Sequence, residues 1–225
     1  MKDAPEIKIT NDGSNTLFLP NLNEHYHSIH GAIQESVHVF IKNGIQKIPS
    51  NKLRVNILEI GFGTGLNALL TLDYSNINNL QVNYHTIEPY PIQDQKTWSS
   101  LNYCELINKN LKNQFDLLHR SDWNQEILMT SFFSFYKYKS TVENCLLKSD
   151  YFDVIYFDAF SPRSQPELWD EDVLEKMYLV LKKNGFLVTY CSKGIVKRKL
   201  KKIGFVIDSL PGPPGKREMT FAKKS

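Results

Sequence analysis

Cysteine is scarce in this chain of 225 residues: Cys104, Cys145 and Cys191 are odd in number, far apart and without CxxC spacing. That argues against a disulfide framework and against a thiolate zinc site, so the thiols are expected to be reduced and structural, with no metal. Long apolar runs are missing too. No stretch approaches the roughly 20 residues that cross a bilayer, and residues 1–6 lack the apolar segment of a secretion signal. A soluble, cytoplasmic protein without a membrane partner is expected. Neither an internal repeat nor a low-complexity linker is present, and charge of one sign is not in excess: 27 Lys and Arg stand against 24 Asp and Glu. Hydrophobic residues at 41% and charged residues at 23% are the ordinary globular mixture, far from the composition of disorder. The length allows one substantial core, with residues 1–50 as an N-terminal extension packed on a single unit, 51–225.

The distribution of charge says more than its sum. Lys182, Lys183, Lys193, Lys197, Arg198, Lys199, Lys201, Lys202, Lys216 and Arg217 crowd the last quarter of the chain. Two readings stand open: a solvated surface, or a footprint for nucleic-acid phosphates, from which lysine and arginine displace counterions.

What the chain does have is strand, turn and helix in alternation. Apolar and β-branched residues over 7–19 flank Asn11-Asp12-Gly13 and predict a short hairpin. Over 31–43, Ile33, Val37, Phe40 and Ile41 fall at helical spacing, with Gly44 where a C-terminal cap belongs. Residues 55–60 read as a buried strand, followed by Gly61-Phe62-Gly63-Thr64-Gly65 and a helix over 66–72. Further strands are predicted at 82–87, 132–139, 152–157 and 185–190. This pattern predicts the α/β class: a Rossmann-like, mostly parallel sheet with helices on both faces, its ligand crevice beyond the carboxyl ends of the strands.

Three glycines at Gly61, Gly63 and Gly65 permit a sharp turn and a close approach to a ligand. A dinucleotide fingerprint would need glycine where Leu66 stands, whereas E-x-G-x-G-x-G, led by Glu59, is the arrangement that holds S-adenosylmethionine, the donor that leaves as S-adenosylhomocysteine. Glu88, at the end of the second strand and about 20 residues past the turn, is placed to accept from the ribose hydroxyls. Asn67, in the first turn of the helix, is assigned to the same cofactor. Adenine is addressed after the third strand; Asp122-Trp123 precedes that strand, so Ser140 is favoured.

At the end of the fourth strand, Asp158 of Asp158-Ala159-Phe160-Ser161-Pro162 should point into the crevice. An acid there can attract the cationic cofactor and orient a nitrogen for in-line attack. A protonated amine has no lone pair, and Asp158 is the leading candidate for removing its proton. Methylation of a pyrimidine ring carbon usually needs a cysteine nucleophile; Cys191 has no thiolate-stabilising motif beyond nearby Lys193, which disfavours that chemistry. No flavin is called for.

These residues resemble one family closely, the MnmC-type tRNA methyltransferase domain in its stand-alone form, MnmD. Its marks run through nearly the whole chain. They are Asp12-Gly13-Ser14 with Thr16-Leu17, Glu24-His25-Tyr26-His27-Ser28, Gly31-Ala32 with Glu35-Ser36, and 59–65. They continue with Phe157-Asp158-Ala159-Phe160-Ser161-Pro162, Gln165-Pro166-Glu167-Leu168-Trp169, Thr189-Tyr190-Cys191-Ser192-Lys193-Gly194 and Gly212-Pro213-Pro214-Gly215-Lys216-Arg217-Glu218-Met219. The resemblance implies methyl transfer to wobble 5-aminomethyl-2-thiouridine in tRNA, giving the 5-methylaminomethyl nucleoside. Bifunctional members add a flavin oxidoreductase domain for which this sequence has no room, so either separate enzymes making the aminomethyl intermediate are expected as partners or the substrate differs.

Within that frame Tyr26 is expected over the cofactor, where an aromatic face favours a cation. Tyr190 should face the crevice beside Asp158 as a second catalytic residue. His27, Phe160, Lys193, Lys216 and Arg217 are assigned to the substrate, the three cations to tRNA phosphates. For His27 and Ser28 helix capping is an equal alternative, and Trp169 and Trp123 are as readily core residues as base-stacking platforms. Three other functions were weighed. A free amine or a protein amine is the main alternative acceptor. A degenerate RNA-binding protein is argued against by the intact Gly61, Gly63, Gly65, Glu88 and Asp158, and a nicotinamide-dependent oxidoreductase by the glycine spacing.

Overall fold

The computed structural model describes residues 4–225, so the first three residues of the stretch read for a secretion signal lie outside it. The hairpin forms as expected. Strands β1 (Glu6–Ile9) and β2 (Asn15–Leu19) pair antiparallel, and a two-residue β3 (Glu24–His25) adds to β2. Asp12 organises the turn, because one carboxylate oxygen accepts from Thr10 Oγ1 at 2.7 Å and from the Ser14 N–H at 3.0 Å. Its other oxygen reaches the Gln34 N–H, 2.9 Å away, and so ties the hairpin to α1 (Ala32–Ser36).

α1 continues into a π-helical turn over Val37–Lys42 that buries Val39, Phe40 and Ile41. Gly44 is not the left-handed cap that its position suggested, since its φ is −103°. Glycine is needed there for space: a Cβ would stand 2.0 Å from the Phe40 carbonyl oxygen and 2.8 Å from the Tyr156 ring.

The main layer follows as β4 (Arg54–Ile60), α2 (Leu66–Asn78), β5 (Gln81–Ile87), α3 (Gln95–Ser99), α4 (Tyr103–Ile107), α5 (Lys112–Arg120), β6 (Glu126–Thr130), β7 (Phe133–Tyr138), β8 (Phe152–Phe157), α6 (Glu171–Val180), β9 (Leu181–Thr189), α7 (Gly194–Ile203), β10 (Phe205–Pro211) and β11 (Glu218–Lys224). Eight strands make one sheet in the order β10-β11-β9-β8-β4-β5-β7-β6. β4, β5, β7, β8 and β9 are parallel to their neighbours in that set. β6 lies antiparallel on β7, and β11 lies antiparallel to both β9 and β10.

Central position explains the apolar runs. β8 is buried at every residue and β4 at all but Arg54, because helices cover both faces. Alternate side chains serve opposite layers: Ile57 and Tyr156 join one core cluster, Leu58, Ile60, Ile155 and Phe157 the other. Leu17, Ala32, Val39, Phe40 and Ile45 belong to the first cluster, so the N-terminal segment packs on the sheet. Chain order runs outward from β4 through β5 to β7 on one side, and from β8 to β9 on the other. The switch point therefore lies between β4 and β8, where an open α/β sheet places its ligand crevice.

Asp153 locks the opposite end of the same two strands. Its side chain is 2% exposed and accepts from Lys52, from Lys182 at 3.0 Å and from the Asn56 N–H at 2.8 Å. In Asp153→Ala both lysines can turn to water, but the Asn56 N–H is left buried without its acceptor. The expected loss is about 2–3 kcal/mol in urea denaturation; a loss below about 0.5 kcal/mol would show that Asp153 does not hold β4 to β8.

Candidate active site

A cavity of about 930 Å³ opens at that switch point. Its floor is the glycine turn after β4. Gly61 has φ +91°, and a Cβ there would lie 2.7 Å from the Asp158 carbonyl oxygen; a Cβ on Gly63, at φ +49°, would lie 2.9 Å from the Tyr26 ring. The turn can thus touch both neighbours only without side chains.

Thr64 anchors the turn from behind. It is fully buried, its hydroxyl lies 2.7 Å from His27 Nε2 and accepts from Tyr103 OH at 3.2 Å, and its carbonyl lies 3.2 Å from His119 Nε2. Burial holds both imidazoles neutral, lowering His27 to about 4 and His119 to about 3. Glu88 holds the other side: one oxygen accepts the Gly63 N–H at 3.1 Å and the other the Tyr90 N–H at 2.8 Å. Burial raises its pKa and those two N–H bonds pull it back. Each oxygen keeps a lone pair for a ligand hydroxyl.

Another wall of the cavity is built on the loop after β8. Asn67, on α2, donates to Asp158 Oδ2 at 2.8 Å. Burial pushes Asp158 up to about 7 and Glu35 adds to the rise, while the Asn67 bond and the Lys216 cation oppose it. Trp169 Nε1 donates to the Phe160 carbonyl at 2.9 Å, and Tyr190 OH donates to the Ala159 carbonyl at 2.9 Å, so the two residues after Asp158 are both tied. Tyr26 meets Phe160 edge-on at 5.2 Å between centroids. Glu24 accepts from Ser161 Oγ at 2.8 Å and from Ser164, bolting β3 to the same loop.

Of the residues assigned from sequence, Tyr26, His27, Gly61, Gly63, Glu88, Asp158, Phe160, Tyr190 and Lys216 line this one cavity. His27 does so with its ring committed to Thr64. Tyr190 has its proton committed to Ala159, and burial raises its pKa well above 10. Glu59, Gly65, Asn67 and Ser140 stand outside the wall. Glu59 is fully buried beneath it, beside Thr86, Tyr84 and Asn67, and burial raises it to about 8. Gly65 makes the left-handed turn into α2, and Asn67 touches Asp158. After β7 the wall is formed by Thr141, Val142 and Glu143, with the Ser140 hydroxyl turned to the Thr141 carbonyl. Trp169 is core, 2% exposed. Trp123 lies under the Lys137 ammonium, 4.5 Å from its centroid.

The basic C-terminal quarter divides in two. Lys197, Lys199 and Lys202 pair with Glu218, Asp170 and Glu171 at 2.8, 3.0 and 2.6 Å. Lys183, Lys193, Arg198, Lys201 and Arg217 are exposed and carry no ion pair among the described residues. Lys216 turns inward, its ammonium 2.6 Å from Glu35 Oε1. Sequence reasoning gave no role to Glu24, Thr64, Tyr103 or His119. Glu24 and Thr64 sit inside marked motifs, but Tyr103 and His119 reach the turn only through tertiary packing. Among the described residues no cluster of three or more His, Cys, Asp or Glu could hold a metal, and no helix is long and apolar enough to cross a membrane.

Residues 134–225 match a family model described as S-adenosyl-L-methionine-dependent methyltransferase. A crystal structure of MNMC2 from Aquifex aeolicus superposes with a TM-score of 0.81 at 27% identity, over 99% of this chain and 71% of that one. The citrinin polyketide synthase CMeT domain shares the fold alone, with a TM-score of 0.50 at 13% identity, over 92% of this chain and 54% of that one. Sheet order and glycine turn are those of the class I S-adenosylmethionine-dependent methyltransferase fold, and the chain has that fold.

More particularly, it is similar to the tRNA 5-methylaminomethyl-2-thiouridine biosynthesis bifunctional protein MnmC. The Leptospira interrogans protein is 32% identical over 214 residues, which cover 89% of this chain and 32% of that one. For the Cupriavidus metallidurans protein the identity is 27% over 234 residues, covering 98% of this chain and 34% of that one. The chain thus spans about a third of the length of the curated relatives it matches. The resemblance read from sequence is borne out.

The buried neutral His27 makes stability pH-dependent. Its folded pKa of about 4 lies below the unfolded value of 6.5, so its contribution is complete above 6.5 and is lost as pH falls toward 4. The stability advantage of the wild type over His27→Gln should shrink by about 1–2 kcal/mol between pH 7.5 and pH 5. Urea melts at the two pH values check this, and an advantage that grows on acidification would contradict a neutral buried ring.

Proposed function

We propose that this chain methylates the primary amine of wobble 5-aminomethyl-(2-thio)uridine in tRNA, giving 5-methylaminomethyl-(2-thio)uridine. The observation that carries the reading is Asp158: a carboxylate at the end of β8, fixed by Asn67, facing a cavity whose floor is the glycine turn. When bound, S-adenosylmethionine supplies a methyl carbon made electrophilic by a sulfonium. The residues fit that donor, because Gly61 and Gly63 clear the floor and Glu88 offers lone pairs to ribose hydroxyls. The aromatic faces of Tyr26 and Phe160 are suited to a cation.

Asp158, poised near neutrality, takes the proton that the amine must lose before it can attack. Nitrogen is favoured over carbon as acceptor. Cys191 is 4% exposed and burial raises its thiol pKa, which is the wrong direction for a nucleophile. Exposed Lys193, Arg198, Lys201 and Arg217, which carry no ion pair among the described residues, are the candidates for tRNA phosphates, and the separate enzymes that make the aminomethyl intermediate are the expected upstream partners. Work on tRNA also suits a cytoplasmic location.

Mass spectrometry of tRNA nucleosides follows the reaction directly. Asp158→Asn should lower methyl transfer by about 10² or more while the cofactor Kd stays within roughly tenfold. Wild-type kcat/KM should fall tenfold per pH unit below about 7, as Asp158 of the free enzyme takes up its proton. Equal losses in turnover and cofactor affinity would remove Asp158 from the proton-accepting role. Methylation of the bare nucleoside as efficient as that of whole tRNA would favour a free amine as substrate.

A further inference from the structure

The loop 212–217 joins β10 to β11 and lies against the N-terminal segment. A Cβ on Gly215 would come within 2.1 Å of the His30 ring, and the Pro211 carbonyl lies 2.8 Å from His38 Nε2. Lys216 leaves this loop toward the cavity. Its Nζ donates to Glu35 Oε1 at 2.6 Å and lies 3.7 Å from the centroid of the Tyr190 ring. The other oxygen of Glu35 accepts the Ser28 N–H at 2.8 Å, so both partners of the lysine are held in place. Tyr190 in turn donates to the Ala159 carbonyl, one residue from Asp158.

Glu35 and Asp158 line the same cavity, and Glu35 is 6% exposed. Two carboxylates sharing a low-dielectric site do not both ionise unless a cation compensates one of them. A phosphate-binding lysine would reach outward and leave Glu35 without a cation beside it. The observed lysine does the reverse.

We infer that Lys216 is a positioning residue of the methyl transfer: its ammonium, clamped between Glu35 and the Tyr190 ring, neutralises Glu35 and leaves Asp158 free to stand as the anion that accepts the amine proton. The inference rests on the reading of Asp158 as that proton acceptor. The other groups around Asp158 do not supply the charge. Glu59 of β4, which feels Asp158, is itself a buried acid, Tyr84 of β5 and Tyr190 are phenols, and Asn67 of α2 is uncharged. His27, which feels both Glu35 and Lys216, is kept neutral by burial.

The test compares the wild type with Lys216→Met, Lys216→Arg and the double variant Glu35→Gln/Lys216→Met. Calorimetric Kd values for S-adenosylmethionine and S-adenosylhomocysteine are measured from pH 5.5 to 9, because the two ligands differ by the sulfonium charge that Asp158 would face. Their ratio should titrate with Asp158 in the wild type. In Lys216→Met the midpoint should move up by about one pH unit, and kcat at pH 7 should fall by about fivefold. The double variant removes both charges and should bring the midpoint back to within about 0.3 of the wild type, with Lys216→Arg between the two.

The salt dependence of tRNA binding should keep its slope in Lys216→Met, since no phosphate contact is lost. An unmoved midpoint with a flattened salt slope would assign Lys216 to the tRNA backbone and overturn the inference. So would a lowered KM for tRNA, which would make the lysine a plug in the acceptor's place, or a double variant displaced as far as the single one. Should Lys216→Met fail to fold, Lys216→Gln, which also removes the charge, carries the same expected shift and is read through the same ratio. That ratio needs no acceptor: absent transfer to tRNA would sink the substrate reading and leave the lysine's role still measurable, whereas a ratio flat with pH in the wild type would remove Asp158 itself.

Discussion

Three parallel strands of this protein end on one row. Ile60 of β4 stands opposite Ile87 of β5 and Phe157 of β8, and the hydrogen bonding continues one step further. The Gly61 N–H reaches the Ile87 carbonyl at 3.0 Å and the Asp158 N–H reaches the Ile60 carbonyl at 3.0 Å. The residues just past that row are therefore Gly61, Glu88 and Asp158, each delivered by strand register to the edge of the crevice. A slip of one residue in either pairing would turn the whole strand over and take its terminal group out of line. The buried apolar runs of β4 and β8 thus do more than fill a core, because they fix where the glycine turn, Glu88 and Asp158 can meet.

Around that row the polar groups act mainly as fasteners. Thr64 is tied to three separate parts of the chain through His27, Tyr103 and His119. Lys137, 1% exposed, donates to the Leu118 and His119 carbonyls at the end of α5, and burial lowers it to about 8. It therefore steadies the helix that carries His119, at the end where a cation is favoured. Glycine supplies the freedom at the turn, and these side chains remove the freedom that a ligand site cannot tolerate.

Much of this was legible in the sequence because it is local. Strand, glycine turn and helix are contiguous, and β8 was read with its observed limits. The end of a strand also tells where its next residue points, which is why Glu88 and Asp158 were accessible to inspection. The antiparallel strands β6, β10 and β11 were not recognised. Their faces are partly exposed, β10 contains Asp208 and Pro211, and β11 carries Lys223 and Lys224, so no continuous apolar run marks them. Glu59 and Ser140 illustrate a second limit: motif position puts a residue near a ligand but does not say on which side of the backbone its side chain falls. Lys216 illustrates a third, since no count of basic residues tells a lysine folded into an ion pair from one held out in solvent.

The site is also assembled from both ends of the described chain. Tyr26, His27 and Glu35 come from its first part, Lys216 from its last, and β11 inserts between β9 and β10, two strands made before it. During synthesis the wall carrying Tyr26 leaves the ribosome early, yet the loop that meets it cannot dock until residues 212–224 have emerged and β11 has entered the sheet. A nascent chain lacking that stretch would hold its glycine turn without Lys216, one wall of the cavity still missing.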